Sequence, residues 1–319
     1  MARIVHHGQE MSIVSAHEGI VWPLFLAGLP GDETLLVSGA AHPDHQLRRW
    51  DVATGEVLWE TRDGELYHGC FGLALSLGDG KQILASATEN GVQRRDASTG
   101  SPLPDMPDLT PGTIWSVDSC AMGDGRVMLI GAGNDHLVYR WDAITGTALG
   151  APLSGHGSSV KCVKADRVPG RGLLIASAGD DGPVRLWDGD SGKSRSTFAV
   201  GGEVMDIDLF VPRAGIPVLT CADIDGVLYR WNAASGESLG QPIETGDRVG
   251  SLTSVAVNDE PRLLVSSESG VVRQWHATTG RLLDDSIHGI SVAALARPDG
   301  SITLATGLVD GGIHIRTLS

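Results

Sequence analysis

The sequence predicts an all-β protein built from seven copies of one antiparallel sheet, and three observations carry that reading. A short motif returns at a nearly fixed period along the whole chain. Each copy is an alternating apolar and polar run that ends in a Gly-containing turn, the pattern of a half-buried strand. Glycine is also heavily used, 43 residues against 15 proline, which suits frequent tight reversals rather than long helices.

Composition bounds the rest. The 319 residues are about twice the usual domain length, yet closed all-β architectures exceed that prior as one domain, and a single domain over residues 1–319 is expected. With 41% hydrophobic and 20% charged residues the chain can build a packed core, which excludes disorder as its main state. The net charge of −15, with no dense run of Lys and Arg, argues against a nucleic-acid partner. No window approaches the roughly 20 apolar residues of a spanning helix, and the first residues lack a leader pattern, so the expectation is a cytoplasmic monomer without a membrane partner. Cys70, Cys120, Cys162 and Cys221 are scattered without a CxxC pair, which signals neither a disulfide framework nor a zinc site.

The repeat is explicit in LRRWDVATG, VQRRDASTG, LVYRWDAITG, VRLWDGDSG, VLYRWNAASG and VVRQWHATTG. Their anchors are Trp50, Arg95, Trp141, Trp187, Trp231 and Trp275, separated by 45, 46, 46, 44 and 44 residues. A seventh copy, IHIRTLS, places Arg316 at the anchor and stops before an outer strand. A period of about 40 to 45 residues is that of propeller blades, four strands each.

These motifs resemble the WD40 repeat family, most strongly over Ser154–Asp188, where SGHGSSVKCVKA precedes ASAGDDGPVRLWD. The resemblance implies a seven-bladed β-propeller of four-stranded antiparallel blades around a central channel. It also implies that the N-terminal strand closes the ring, residues 11–15 completing the last blade beside the strand that ends at Arg316. The high Arg content, 20 Arg against four Lys, resembles the product of a GC-rich genome and suggests a bacterial source. In the fourth copy His156, Ser177, Asp181 and Trp187 occupy the family's hydrogen-bonding positions; His17, Asp44 and Trp50 correspond in the first, with Ser38 or a shifted neighbour as the hydroxyl, and Asp135, Asp225 and Asp310 hold the turn elsewhere. No Gly-x-Ser-x-Gly elbow surrounds Ser177, so this Ser, His and Asp read as structural rather than as a hydrolase triad. Arg95 and Arg316 depart from Trp, and Asn232 and His276 from Asp, so blades two, six and seven are expected to pack less well.

In that family, partners touch the residues that flank the first buried position of each inner strand and the residue before the turn acid. On this sequence the flanking pairs include Ile20 and Trp22, Phe71 and Leu73, Thr113 and Trp115, Ser159 and Lys161, Glu203 and Met205, and Ser251 and Thr253. Trp22, Phe71, Trp115 and Met205 would form an apolar arc on the top rim, facing Lys161, Asp180, Glu203 and Glu268, the composition of a binding hot spot. His42, His45 and His136 lie beside turns, and His45 and His136 join the candidate rim. No HxH or HExxH spacing appears, so no metal and no cofactor are expected. Two functions follow. One is a non-enzymatic scaffold that binds a protein or peptide through the top face. The alternative is a small-molecule-binding or catalytic propeller with a pocket at the top of the channel.

Overall fold

A computed structural model of the chain describes residues 3–7, 10–29, 33–40, 44–61, 72–78, 80–107, 112–212 and 215–318. Its fold class is the seven-bladed β-propeller, all antiparallel and without a helix among the described residues. A hairpin of β1 (Arg3–His7) and β2 (Glu10–Val14) comes first. Blade 1 is β3 (Val21–Gly28), β4 (Thr34–Ala40), β5 (Leu47–Trp50) and β6 (Val57–Glu60); blade 2 is β7 (Gly72–Gly78), β8 (Lys81–Thr88) and β9 (Gly91–Asp96). Blade 3 is β10 (Ile114–Ala121), β11 (Val127–Gly133) and β12 (Val138–Asp142). Blade 4 is β13 (Val160–Val168), β14 (Gly172–Gly179), β15 (Val184–Asp188) and β16 (Ser194–Phe198). Blade 5 is β17 (Val204–Phe210), β18 (Val218–Asp223), β19 (Val227–Asn232) and β20 (Ile243–Glu244). Blade 6 is β21 (Val249–Val257), β22 (Glu260–Ser267), β23 (Val271–His276) and β24 (Leu282–His288), and blade 7 adds β25 (Ser291–Ala296), β26 (Ile302–Gly307) and β27 (Ile313–Leu318).

The repeat motif has a local physical cause. The residue after the anchor caps the outer turn: Asp51 Oδ1 accepts from the amides of Ala53 and Thr54, and Asp142 Oδ1 from Ile144 and Thr145. Asn232 Oδ1 and His276 Nδ1 accept in the same place, from Ala234 and Thr279, so these departures keep the cap. The glycine that closes each turn, from Gly55 at φ 70° to Gly280 at φ 73°, lies in the left-handed region that a Cβ disfavours.

Two compact units emerge. One comprises Met1–Cys70, Pro212–Ala214 and Asp247–Ser319; the other comprises Phe71–Val211 and Gly215–Gly246. In the first, β2 pairs with β27 in the register Met11↔Ile315 and Ser12↔His314, so the N-terminal strand completes blade 7 and β1 adds a fifth strand outside it. Ile13, Leu36, Trp50, Ala305 and Ile313 are buried together between blades 7 and 1. In the second unit, Met128, Ile130, Val163, Ile175 and Trp187 fill the space between blades 3 and 4. Each such side chain contributes about 1.5–3 kcal/mol through burial.

The four-stranded plan holds in blades 1, 4, 5 and 6 and thins in blades 2 and 3. Their outer segments meet the third strand only at isolated bridges, Arg95↔Pro102 in one and Val138↔Leu153 and Trp141↔Ala148 in the other. Pro102 and Pro152 lack the N–H that a continuous ladder needs.

Within each unit polar side chains tie blade to blade. The amides of Val163 and Ala165 donate to Ser116 Oγ at 3.2 Å and Asp118 Oδ2 at 2.8 Å, joining blades 4 and 3. Val292 N–H donates to Ser251 Oγ at 3.1 Å in the other unit. The arginine before the anchor reaches into the next blade's outer turn: Arg94 donates to the carbonyls of Ala143 and Ile144, and Arg140 to that of Gly189, each at 3.0 Å. The sequence reading assigned these arginines no role.

Candidate functional site: the rim of the inner strands

Beneath the rim lies a polar network, and its proton positions follow from its chemistry. Indole N–H can only donate, so Trp187 gives its proton to Ser177 Oγ at 2.8 Å; the hydroxyl then donates to His156 Nε2 at 2.7 Å, and Nδ1–H donates to Asp181 at 2.9 Å. Blade 1 repeats the chain through Trp50, Ser38, His17 and Asp44, each link 2.7 Å long. Burial lowers both histidines below the ordinary imidazole range despite their carboxylate partners. Burial would raise Asp44, but hydrogen bonds from His17 and Arg48 outweigh it and hold the carboxyl at about 2. Arg48 and Arg185, four residues after the turn acids, complete the networks at 2.7 and 2.8 Å; the sequence reading missed them, although the i,i+4 spacing from Asp44 and Asp181 was visible.

Elsewhere the turn is held differently. Asp135 accepts from Tyr139 O–H in blade 3, and the Tyr139 ring stacks on Trp141 at 5.4 Å. In blade 5 the acceptor of the turn amides is Asp223, not Asp225: its Oδ1 takes the N–H groups of Asp225 and Val227, and Tyr229 O–H donates to Oδ2. Asp310 Oδ1 accepts from Gly312 in blade 7.

Above the network the inner strands share one irregularity. The β3/β4 register slips between Val21 and Leu24, and the corresponding ladders slip between Ile114 and Ser116, Val160 and Cys162, Val204 and Asp206, and Val249 and Ser251. The bulged residues are Trp22, Trp115, Lys161, Met205 and Gly250. A bulge re-aims a side chain out of the pleat, and Trp22 and Met205 are exposed accordingly, at 37% and 43%. In blades 3 and 4 a glycine faces the bulge at close quarters: a Cβ on Gly133 would lie 1.9 Å from Thr113 O, and one on Gly179 2.1 Å from Ser159 O, whereas Ala40, Asp223 and Ser267 hold that place in blades 1, 5 and 6. The same close approach carries the bonds Asn134 N–H to Thr113 O and Asp180 N–H to Ser159 O, setting Asn134 beside Trp115 and Asp180 beside Lys161.

Of the candidates, Trp115, Lys161 and Asp180 come together. Lys161 Nζ lies 4.1 Å from the Trp115 ring centroid and 3.7 Å from Asp180. Trp115 Nε1 donates to Asn134 Oδ1, which also accepts from Ser159 Oγ at 3.3 Å. Glu203 and Met205 are exposed on blade 5 of the same unit, where Glu203 O accepts from Ile224 N–H. On the other unit, Ile20, Trp22 and Val309 are exposed around the bond from Val21 N–H to Leu308 O. Phe71 and His42 lie outside the described residues. His45 and His136, at φ 49° and 68°, stand where other blades place Gly182 and Gly270. Blade 6 corrects the alignment: Val249 is its first buried position, so Arg248 and Gly250 take the flanking places instead of Ser251 and Thr253, and Arg248 pairs with Glu268 at 3.7 Å.

Lower on the inner strands of blades 3 to 5 stand Asp118, Lys164, Asp166, Asp206 and Asp208, which sequence reasoning passed over. Their signal was a charged residue soon after the first buried positions of each strand, as in VDS, VKAD and IDL. Burial would lower Lys164, but Asp118, Asp208 and Asp206 hold it up, whereas burial lifts Asp166 to about 6. Burial raises the thiols too, Cys120 to about 12, with Cys162 and Cys221 also above their usual range. Among the described residues no three His, Cys, Asp or Glu side chains are placed to hold a metal ion, and no helix is long and apolar enough to cross a membrane. A cavity of about 630 Å3 is lined by residues of blades 3 and 4, Met122, Met128, Arg140, Leu153 and Trp187 among them.

Comparison with known proteins agrees with this geometry. The model of the WD domain, G-beta repeat family matches residues 148–188, the copy with the complete network. The chain is 24% identical to Autophagy-related protein 16 of Arabidopsis thaliana over 275 residues, 85% of this chain and 50% of that protein. It is 22% identical to WD repeat-containing protein 1 of Xenopus tropicalis over 303 residues, 90% and 45% respectively. Elongator complex protein 2 of Danio rerio is 34% identical over 114 residues, 34% of this chain and 14% of that protein. The chain thus spans half or less of the length of these relatives, and their eukaryotic origin does not bear out the bacterial source suggested by arginine content. The matched repeat, the network rebuilt in blade 1 and the seven motif-bearing sheets make the chain similar to the WD40 repeat proteins.

Proposed function

We propose that this chain is a non-enzymatic interaction scaffold that binds a protein or peptide through the top rim of its blades. The observation that carries the reading is the bulge shared by five inner strands, at which Trp22 and Met205 are exposed and Trp115 and Lys161 are half-buried, each at the start of its strand. Residues that give up ladder bonds to aim aromatic, basic and thioether side chains at solvent make anchors for a partner. The Ser, His and Asp of blades 1 and 4 are consumed in closed hydrogen-bond chains, which favours a scaffold over a catalyst. The reading takes the chain as a cytoplasmic monomer whose partner is a separate polypeptide. Trp22→Ala and Trp115→Ala each remove an anchor while leaving the core untouched. Loss of the same captured proteins from lysate in both variants, with unfolding midpoints within about 3 °C of the parent, is the expected result. Capture that neither substitution changes excludes the rim.

A further inference from the structure

Resting on the rim reading, we propose that the rim of blades 3 and 4 receives an arginine side chain from a basic partner segment, and that Lys161 holds this seat until the partner arrives. The seat already contains a cation. Lys161 Nζ sits over the Trp115 face at 4.1 Å with Asp180 at 3.7 Å, an aromatic face and a carboxylate converging on one positive charge. The plane of the ring is fixed without the lysine, because Trp115 Nε1 donates to Asn134 and Asn134 is held in turn by Ser159.

The occupant, by contrast, is loosely tied. The distance of 3.7 Å to Asp180 is beyond hydrogen-bond range, and the Lys161 side chain is about a third exposed. Arg185, in the same blade, donates to Asp181 at 2.8 Å and is locked into its network. Lys161 can therefore leave at little cost, its ammonium regaining water. A guanidinium is the better tenant: it is less strongly hydrated, stacks flat on an indole, and can still direct two N–H groups at Asp180.

Charge selects the sign of the partner. Asp135, Glu203 and Asp225 are exposed on the turns and strand ends of the same unit, and the whole chain carries −15. Exchange of one cation for another leaves Asp180 compensated, whereas an anion drawn to Lys161 would be set against that carboxylate and its acidic surroundings.

Three fluorescein-labelled 12-residue peptides in a Gly-Ser background, with three Arg, three Lys or three Glu, test this by anisotropy against the full chain at low salt. The Arg peptide is expected to bind more tightly than the Lys peptide, and the Glu peptide not at all. Lys161→Met, with Lys161→Gln as a second variant and unfolding midpoints checking both folds, should tighten the Arg complex by about threefold or more, and Asp180→Asn should weaken it by about tenfold. Weaker Arg binding in both lysine variants, or binding of the Glu peptide lost in them, overturns the proposal by showing that the ammonium reads an anion. Arg binding lost in Trp115→Ala but unchanged in Lys161→Met and Asp180→Asn also overturns it, while leaving the rim reading standing. Arg binding that survives Trp115→Ala places the peptide elsewhere and overturns it as well; the fate of the rim reading is then decided separately, by the Trp22 and Trp115 captures.

Discussion

Ser177 shows how much one hydroxyl can carry. It accepts from Trp187 and donates to His156 inside a fully buried site, so Ser177→Ala strands two polar groups together. The expected loss is about 1–3 kcal/mol per unsatisfied group, measured by urea unfolding of the parent and the variant. Proton linkage adds a pH signature. His17 and His156 have folded-state values below the unfolded 6.5, so the unfolded chain binds protons first and stability falls as pH drops below about 6.5. Asp44, held at about 2 against an ordinary 3.8, adds stability that is present above 3.8 and lost as pH falls towards 2. Melting temperature scanned from pH 8 to pH 4 should therefore fall on the acid side, and less steeply in His156→Gln, where one of the histidine contributions is gone.

At the scale of the element, β2 decides whether blade 7 is whole. Ile13 is fully buried between β27 and blade 1, so Ile13→Ala is expected to cost about 2–5 kcal/mol. Deletion of residues 1–15 should cost more, since it also removes the ladder to β27; an unchanged unfolding midpoint for the deletion would show that the strand adds nothing. This strand, the seven sheets and the four-group network were legible because they rest on period, alternation and residue type, all written in the chain. The bulges were not. They go with a bond across the sheet, Asp180 N–H to Ser159 O in blade 4, Ile224 N–H to Glu203 O in blade 5 and Glu268 N–H to Arg248 O in blade 6, a contact between strands that no single run of residues displays. Blade 6 shows the consequence: without the bulge at Gly250 in view, its alignment slipped by three residues. The seat formed by Trp115, Lys161 and Asp180 was readable as three separate candidates, but not as one contact, for the same reason.

Across the whole molecule, acidity sets the response to solution conditions. Asp166 is lifted to about 6, above its unfolded value, so folding takes up a proton and stability declines as pH rises from about 4 through 6. Asp166→Asn should remove that decline and raise the melting temperature at pH 7.5 relative to the parent; a lower melting temperature would show that the carboxylate is needed. With a net charge of −15, moderate salt should raise the melting temperature by screening self-repulsion. The pairing of Glu10 with Arg316 across nearly the entire chain also has a consequence for synthesis. Blades 3, 4 and 5 are contiguous in sequence and can fold as they leave the ribosome, but β2 must wait without its partner until β27 has been translated. Completion of blade 7 thus waits for β27, and a chain that lacks β27 leaves β2 unpaired, with an open sheet edge that quality control can detect.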